Sequence, residues 1–290
     1  GPAGGEPGDG AAAEHHDGVV AAGPAAGRRA EPDGDAEELR RLVTAAGSVT
    51  ERAYLVKAIG AGHGAGTLRE FAAAVRGRDA GWLHHHLTLL DRGGPGQQDR
   101  FGVEVDQFDP FTCGTTSAIV ARAEADPVYA LALTRGLEPP YDARDREEFD
   151  RRLSAEQRRV HRETTRWWPR RLGTLPAGVT GWLDRHVPGV RHRWRPVDDT
   201  DPRDVSGALR DVLRAVDAGH AVPVLVGGAV PRHYVLVVGH SGADLLIFEP
   251  TSGDTVRATA ADVLAGRLAG AAGFDHVQAV VLPSPVRPVE

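Results

Sequence analysis

The chain changes character after residue 220, and that change constrains its fold more than any other feature. Residues 221–226, 233–238, 245–248 and 277–282 are short runs dominated by Val, Leu and Ile, separated by turns rich in Gly, Pro and Ser. Such runs read as β-strands, and short connections favour antiparallel pairing. Upstream the pattern is helical, with apolar residues three and four apart over 37–46, 49–59 and 67–76. It resumes near Cys113 and runs toward Leu133, then returns over 146–166 as a charged helix and over 205–218 as an amphipathic one. One late helix is expected over 258–268. Helices first and an antiparallel sheet last predict an α+β fold.

The chain divides into three segments. Residues 1–35 are Gly, Ala, Pro and acid with almost no large apolar side chain, so burial cannot offset the entropy of ordering and a disordered tail is expected. Residues 36–95 form a small helical domain that ends at the cluster Gly93-Gly94-Pro95-Gly96. Residues 96–290 hold everything else. At 290 residues and 41% apolar content the chain is long enough for a sizeable core.

Charge and motifs exclude several classes of function. The formal net charge is −6, but residues 1–40 hold nine of the 40 acids and three of the 34 basic residues, leaving the remainder balanced. A general nucleic-acid binder would be strongly basic, so none is expected as a partner. The stretch 144–195 is Arg-rich and carries Trp167, Trp168, Trp182 and Trp194, yet Glu147, Glu148, Glu156 and Glu163 interleave with the arginines. Pairing along an exposed helix is the expected account. His84, His85 and His86 are consecutive, so on a helix they diverge by about 100° each and cannot share one metal. They are expected on a solvated face. No HExxH and no phosphate-binding Gly-rich loop is present, so no metal and no cofactor are predicted. No run approaches the roughly 18 apolar residues of a membrane span, and no signal-peptide pattern opens the chain. A soluble protein without a membrane partner is expected, in the cytoplasm or delivered to that of a target cell.

One residue stands out as a nucleophile. Cys113 is the only cysteine, which rules out an internal disulfide and leaves a free thiol. It follows a polar loop and precedes Gly114-Thr115-Thr116-Ser117, which places it at a helix N-terminus. There the helix dipole favours a thiolate, and such sites bring thiol pKa values from about 8.5 into the range of roughly 3.5–7.5. The Cys113 N–H, unpaired in the first helical turn, is free to bind an oxyanion. Gln107, six residues upstream, can add a second donor from its carboxamide, and Gly114 leaves room for a substrate carbonyl. Among thirteen histidines His233 is best placed as a base, because it opens the strand 234–239. An acid is needed to orient the imidazole. Glu249 closes the next strand, and counting back through the hairpin turn at 240–243 brings it beside His233. His220 and His240 are fallback bases.

The order Gln107, Cys113-Gly114, His233 before a Val-rich strand, then Glu249-Pro250 resembles the papain-like cysteine peptidases, most closely the bacterial C39-like branch, over residues 100–283. The resemblance implies a papain-like fold, with a helical half carrying Cys113, a sheet half carrying His233 and a cleft between them. It implies Cys113 as nucleophile, His233 as base, Glu249 as orienter and Gln107 as oxyanion donor, acting on a protein or peptide substrate. The family usually has Asp or Asn where this chain has Glu249. Three outcomes stay open: a cysteine protease, possible as a secreted effector; a glutamine deamidase or transglutaminase-type toxin; and a catalytically silent binding module.

Overall fold

The computed structural model describes residues 32–91, 93–166 and 174–285. Residues 1–31 of the opening segment expected to lack order, and the pair Trp167 and Trp168, lie outside the described residues; the last four residues of that segment, 32–35, are helical and open the first helix. Four helices come first: α1 (Pro32–Thr44), α2 (Val49–Gly60), α3 (Ala65–Val75) and α4 (Ala80–Leu87). Ser48 and Asp79 cap α2 and α4 by accepting from Glu51 N and Trp82 N. These helices bury Leu55, Leu68, Phe71, Val75 and Leu83 against one another.

Short strands β1 (Gly96–Gln97), β2 (Asp99–Arg100) and β3 (Val103–Glu104) lead to α5 (Cys113–Ala125) and α6 (Pro127–Thr134). A single helix was expected across this stretch. It breaks because Asp126 accepts from Val128 N and Tyr129 N while Pro127, with no N–H to lose, starts the new helix. The long α7 (Ala143–Thr164) follows, opened by the reciprocal Asp142–Asp145 capping box. Its exposed face pairs Arg151 and Arg152 with Glu148, and Arg159 with Glu156 and Glu163. Trp182 is fully buried and donates to Glu163 at 2.8 Å, so it offers no stacking surface.

After α8 (Pro176–His186), β4 (Val190–Pro196) and α9 (Pro202–Asp217) come β5 (Val222–Gly227), β6 (Pro231–Ser241), β7 (Asp244–Glu249) and β8 (Asp254–Thr259). Two short helices, α10 (Ala260–Leu264) and α11 (Ala269–Ala272), precede β9 (His276–Pro285). The single late helix expected over 258–268 is therefore the end of β8 followed by the short α10, with α11 beginning beyond it. Seven strands form one antiparallel sheet in the order β1-β8-β7-β6-β5-β9-β4. The architecture is α+β.

Strand alternation gives the sheet two apolar faces. Val222, Val224, Val226, Val235 and Val237 pack on the apolar stripe of α9, formed by Val205, Ala208, Leu209 and Val212. Tyr234, Leu236, Val238 and Phe248 pack against Ile119, Val120 and Trp182 of the helical half. The first helices join this body closely. Gly189 N donates to Ala61 O at 3.0 Å, and a Cβ on Gly189 would stand 2.0 Å from Gly60 O. Buried Glu124 accepts from Leu89 N and Leu90 N as the chain leaves α4. No helix among the described residues is long and apolar enough to cross a membrane.

Candidate active site

Cys113 is the first residue of α5, and the helix start has an unusual cap. Thr112 turns its hydroxyl back to Asp109, donating to Asp109 O at 2.9 Å and accepting from Asp109 N at 3.3 Å, and makes no side-chain cap bond to the helix. The first-turn N–H groups therefore keep their capacity for an external anion. The loop before it is pinned twice. Gln157 of α7 donates to Asp106 O at 2.5 Å, and Gln107 N donates to Pro250 O at 2.7 Å.

His233 is the third residue of β6, because the hairpin pairing begins at Pro231. It stands opposite Val226 of β5. Leu236 pairs with Phe248 across β6 and β7, so the next residues in register are Val235 and Glu249, and His233 is the diagonal neighbour of Glu249 on the same face. The longer side chain of Glu bridges that diagonal: His233 Nε2 lies 2.5 Å from Glu249 Oε1. Glu249 also accepts from Thr251 N at 3.1 Å and Ser252 N at 3.0 Å, which fixes its carboxylate.

The same imidazole acts with the thiol: Cys113 and Glu249 are the two partners that hold its positive charge, which links the helical half to the acid on β7. With Nε2 engaged by Glu249, Nδ1 is the nitrogen left for the sulfur. Burial alone would lower the His233 pKa, but hydrogen bonds from Cys113 and Glu249 outweigh it and hold the imidazole at about 9. Burial would raise the Glu249 carboxyl, yet the bonds from His233 and from the Thr251 and Ser252 amides bring it to about 2. At neutral pH the pair is an imidazolium held by a carboxylate, the arrangement that stabilises negative charge on an adjacent sulfur. Cys113 is 6% exposed.

Three of the four residues singled out from sequence meet directly. The fourth, Gln107, is tied through its backbone to the strand end that carries Glu249, and its buried Oε1 has no hydrogen-bond partner among the described residues. The fallback bases sit elsewhere. His240 Nε2 lies 2.7 Å from Asp217 Oδ1 at the end of α9, and His220 acts on the charge of His192. The expected solvated face for His84–His86 is corrected. His86 is fully buried, stacked on Trp82 with ring centroids 4.0 Å apart and bonded to Tyr141 Oη at 2.9 Å. Consecutive residues on a helix point in different directions, so His84 is exposed, His85 half-buried and His86 buried. Gly114 also has a packing reason for being glycine: a Cβ there would stand 2.9 Å from Tyr234 Cδ2 and 3.0 Å from Thr174 Cβ, so its missing side chain lets α5 approach β6 closely. Tyr234 itself gave no sequence signal beyond following His233. Among the described residues no group of three or more His, Cys, Asp or Glu is placed to hold a metal ion.

No family model and no curated protein matches the chain. Among solved structures it is similar to the peptidase domain of Streptococcus ComA, a bi-functional ABC transporter involved in a quorum sensing pathway. Identity is 14% over 63% of this chain and 98% of that one, with a TM-score of 0.35. It is also similar to a double glycine motif protease from an AMS/PCAT transporter, solved in complex with the leader peptide. There identity is 13% over 68% of this chain and 97% of that one, with a TM-score of 0.33.

Proposed function

We propose that the protein is a papain-like cysteine peptidase of the C39-like type whose catalytic domain spans residues 96–290, behind a helical domain of residues 36–95. The observation that carries this reading is the single imidazole of His233, bonded to Glu249 and with its positive charge held also by Cys113. In the proposed reaction the Cys113 sulfur attacks an amide carbonyl carbon, forming the S–C bond as the carbonyl electrons move to oxygen. The Cys113 N–H and the Gln107 carboxamide hold that oxyanion. As the tetrahedral centre collapses, the C–N bond breaks and the leaving amine takes the proton from His233. His233 then accepts a proton from water, the resulting hydroxide adds to the thioester carbonyl and displaces the thiolate, and the carboxylic acid formed gives its proton to solvent and leaves as the carboxylate. Glu249 remains ionised throughout, keeping the ring oriented and its positive charge stabilised.

A polypeptide substrate fits the surroundings. Eight large apolar side chains are exposed among the described residues, and four of them, Phe108, Phe111, Leu175 and Val230, lie within five residues along the chain of Cys113, Thr174 or His233. The low exposure of Cys113 is the one observation that favours a silent binding module instead. Incubating the protein and Cys113→Ala with a mixed peptide library, then reading new N-termini by mass spectrometry, separates the two. New termini made by the parent chain and absent with Cys113→Ala are expected. A library left intact by both, with peptides retained on the protein, would establish the binding module.

A further inference from the structure

Tyr234 has an environment that core packing does not account for. It directly follows His233 in β6 and is 2% exposed, with its ring against the Gly114 backbone one residue after the nucleophile. Its hydroxyl is buried and has no hydrogen-bond partner among the described residues. A buried tyrosine hydroxyl normally finds a partner, since leaving one unpaired carries a desolvation cost. Phe would give the same packing without that cost. The hydroxyl also lies within electrostatic reach of the Cys113 sulfur. Burial first, and the sulfur second, push the phenol well above its ordinary pKa, so it carries its proton throughout the working range. Thr174 closes the other side of Gly114 and has a buried hydroxyl in the same condition.

We propose that Tyr234 is a further positioning residue of the site: its ring sets where α5 begins relative to the base on β6, and its buried O–H dipole stabilises negative charge on the Cys113 sulfur. The inference rests on the reading of Cys113 as the nucleophile. A protonated dipole in a water-poor site acts on a nearby charge more strongly than it would in solvent. The arrangement also gives adjacent residues of one strand two different duties. His233 shares a proton with the sulfur, whereas Tyr234 keeps its own.

The test is the rate of iodoacetamide alkylation of Cys113 against pH in the intact chain, Tyr234→Phe and His233→Ala, with thermal midpoints recorded for each. Tyr234→Phe should move the midpoint of the alkylation profile to higher pH by about half a pH unit or more while leaving the thermal midpoint unchanged or raised. A purely structural tyrosine would not produce that combination. Superimposable profiles for Tyr234→Phe and the parent overturn the assignment whatever His233→Ala does. A His233→Ala profile matching the parent overturns the Cys–His reading whatever Tyr234→Phe does. Should Tyr234→Phe fail to fold, 3-fluorotyrosine at position 234 keeps the shape and strengthens the donor. It should move the midpoint to lower pH, and an unchanged midpoint there is again decisive against the proposal.

Discussion

Two histidines of this protein are buried to similar purpose and titrate in opposite directions. His86, on α4, sits in an aromatic box of Trp82, Phe101 and Tyr141, and burial lowers its pKa to about 4, helped by the neighbouring His85. His233, on β6, is lowered by burial as well, but its bonds to Cys113 and Glu249 reverse the sign and carry it to about 9. Desolvation always disfavours the charged ring; what differs is whether a charge partner is within hydrogen-bond reach. Around His86 the polar partner is a phenol that cannot balance a positive charge, so the ring stays neutral and packs. Around His233 the partners are Cys113 and a carboxylate fixed by two backbone amides, so the ring holds its proton and can do chemistry.

The most direct way to break this contrast is Glu249→Gln, which keeps the shape and removes the charge. His233 should then behave more like His86, its pKa falling by about two pH units or more in an NMR titration of the imidazole protons. A ring still titrating near 9 would show that Glu249 does not set it. The contrast also predicts the shape of the stability curve. His86 takes a proton near 6.5 when unfolded and near 4 when folded, so between those values the unfolded chain binds more protons and stability falls as the pH is lowered. Acidification from pH 7 to 4 should cost about 3 kcal/mol that His86→Phe does not lose. His233 works in the other direction, its contribution being present below 6.5 and lost as pH rises through about 9. Urea titrations across the range would show both flanks, and a flat acid flank in the parent chain would contradict the neutral His86 core.

Smaller effects sharpen the same picture. Gly114→Ala should destabilise by about 1–3 kcal/mol, because the new methyl meets Tyr234 and Thr174 where neither can retreat. Gly228→Ala, where a Cβ meets nothing within 4 Å, is its control in the same melts. Least of all, Arg40→Ala removes an exposed pair with Glu37 and should change stability by under about 0.5 kcal/mol. A charge pair in water is weak; the one at Glu249 is not in water.

Much of this site was legible before any coordinates. The Val-rich runs and the turn at 240–243 led to the hairpin and hence to the His233–Glu249 pairing, because strand register follows from alternation and turn length. The helix start at Cys113 followed from a polar loop giving way to apolar spacing. Other parts were hidden for physical reasons. β4 reads Val-Arg-His-Arg-Trp-Arg-Pro, an edge strand whose charged residues blunt further pairing and mask its β character. β8, Asp254–Thr259, alternates polar and apolar too briefly to separate from the helix after it. No sequence pattern marks the Thr112 hydroxyl as turned away from the helix toward Asp109. His86 and Tyr234 owe their roles to neighbours distant in sequence, Tyr141 and Gly114, and no local pattern encodes such contacts.

The central claim is that Cys113 and His233 act as one unit, and alkylation of the sole cysteine tests it without a substrate. At neutral pH iodoacetamide should label the intact chain faster than it labels His233→Ala. In His233→Ala the profile should be displaced toward alkaline pH by at least about one pH unit. Slow labelling with identical profiles in both proteins would contradict the account.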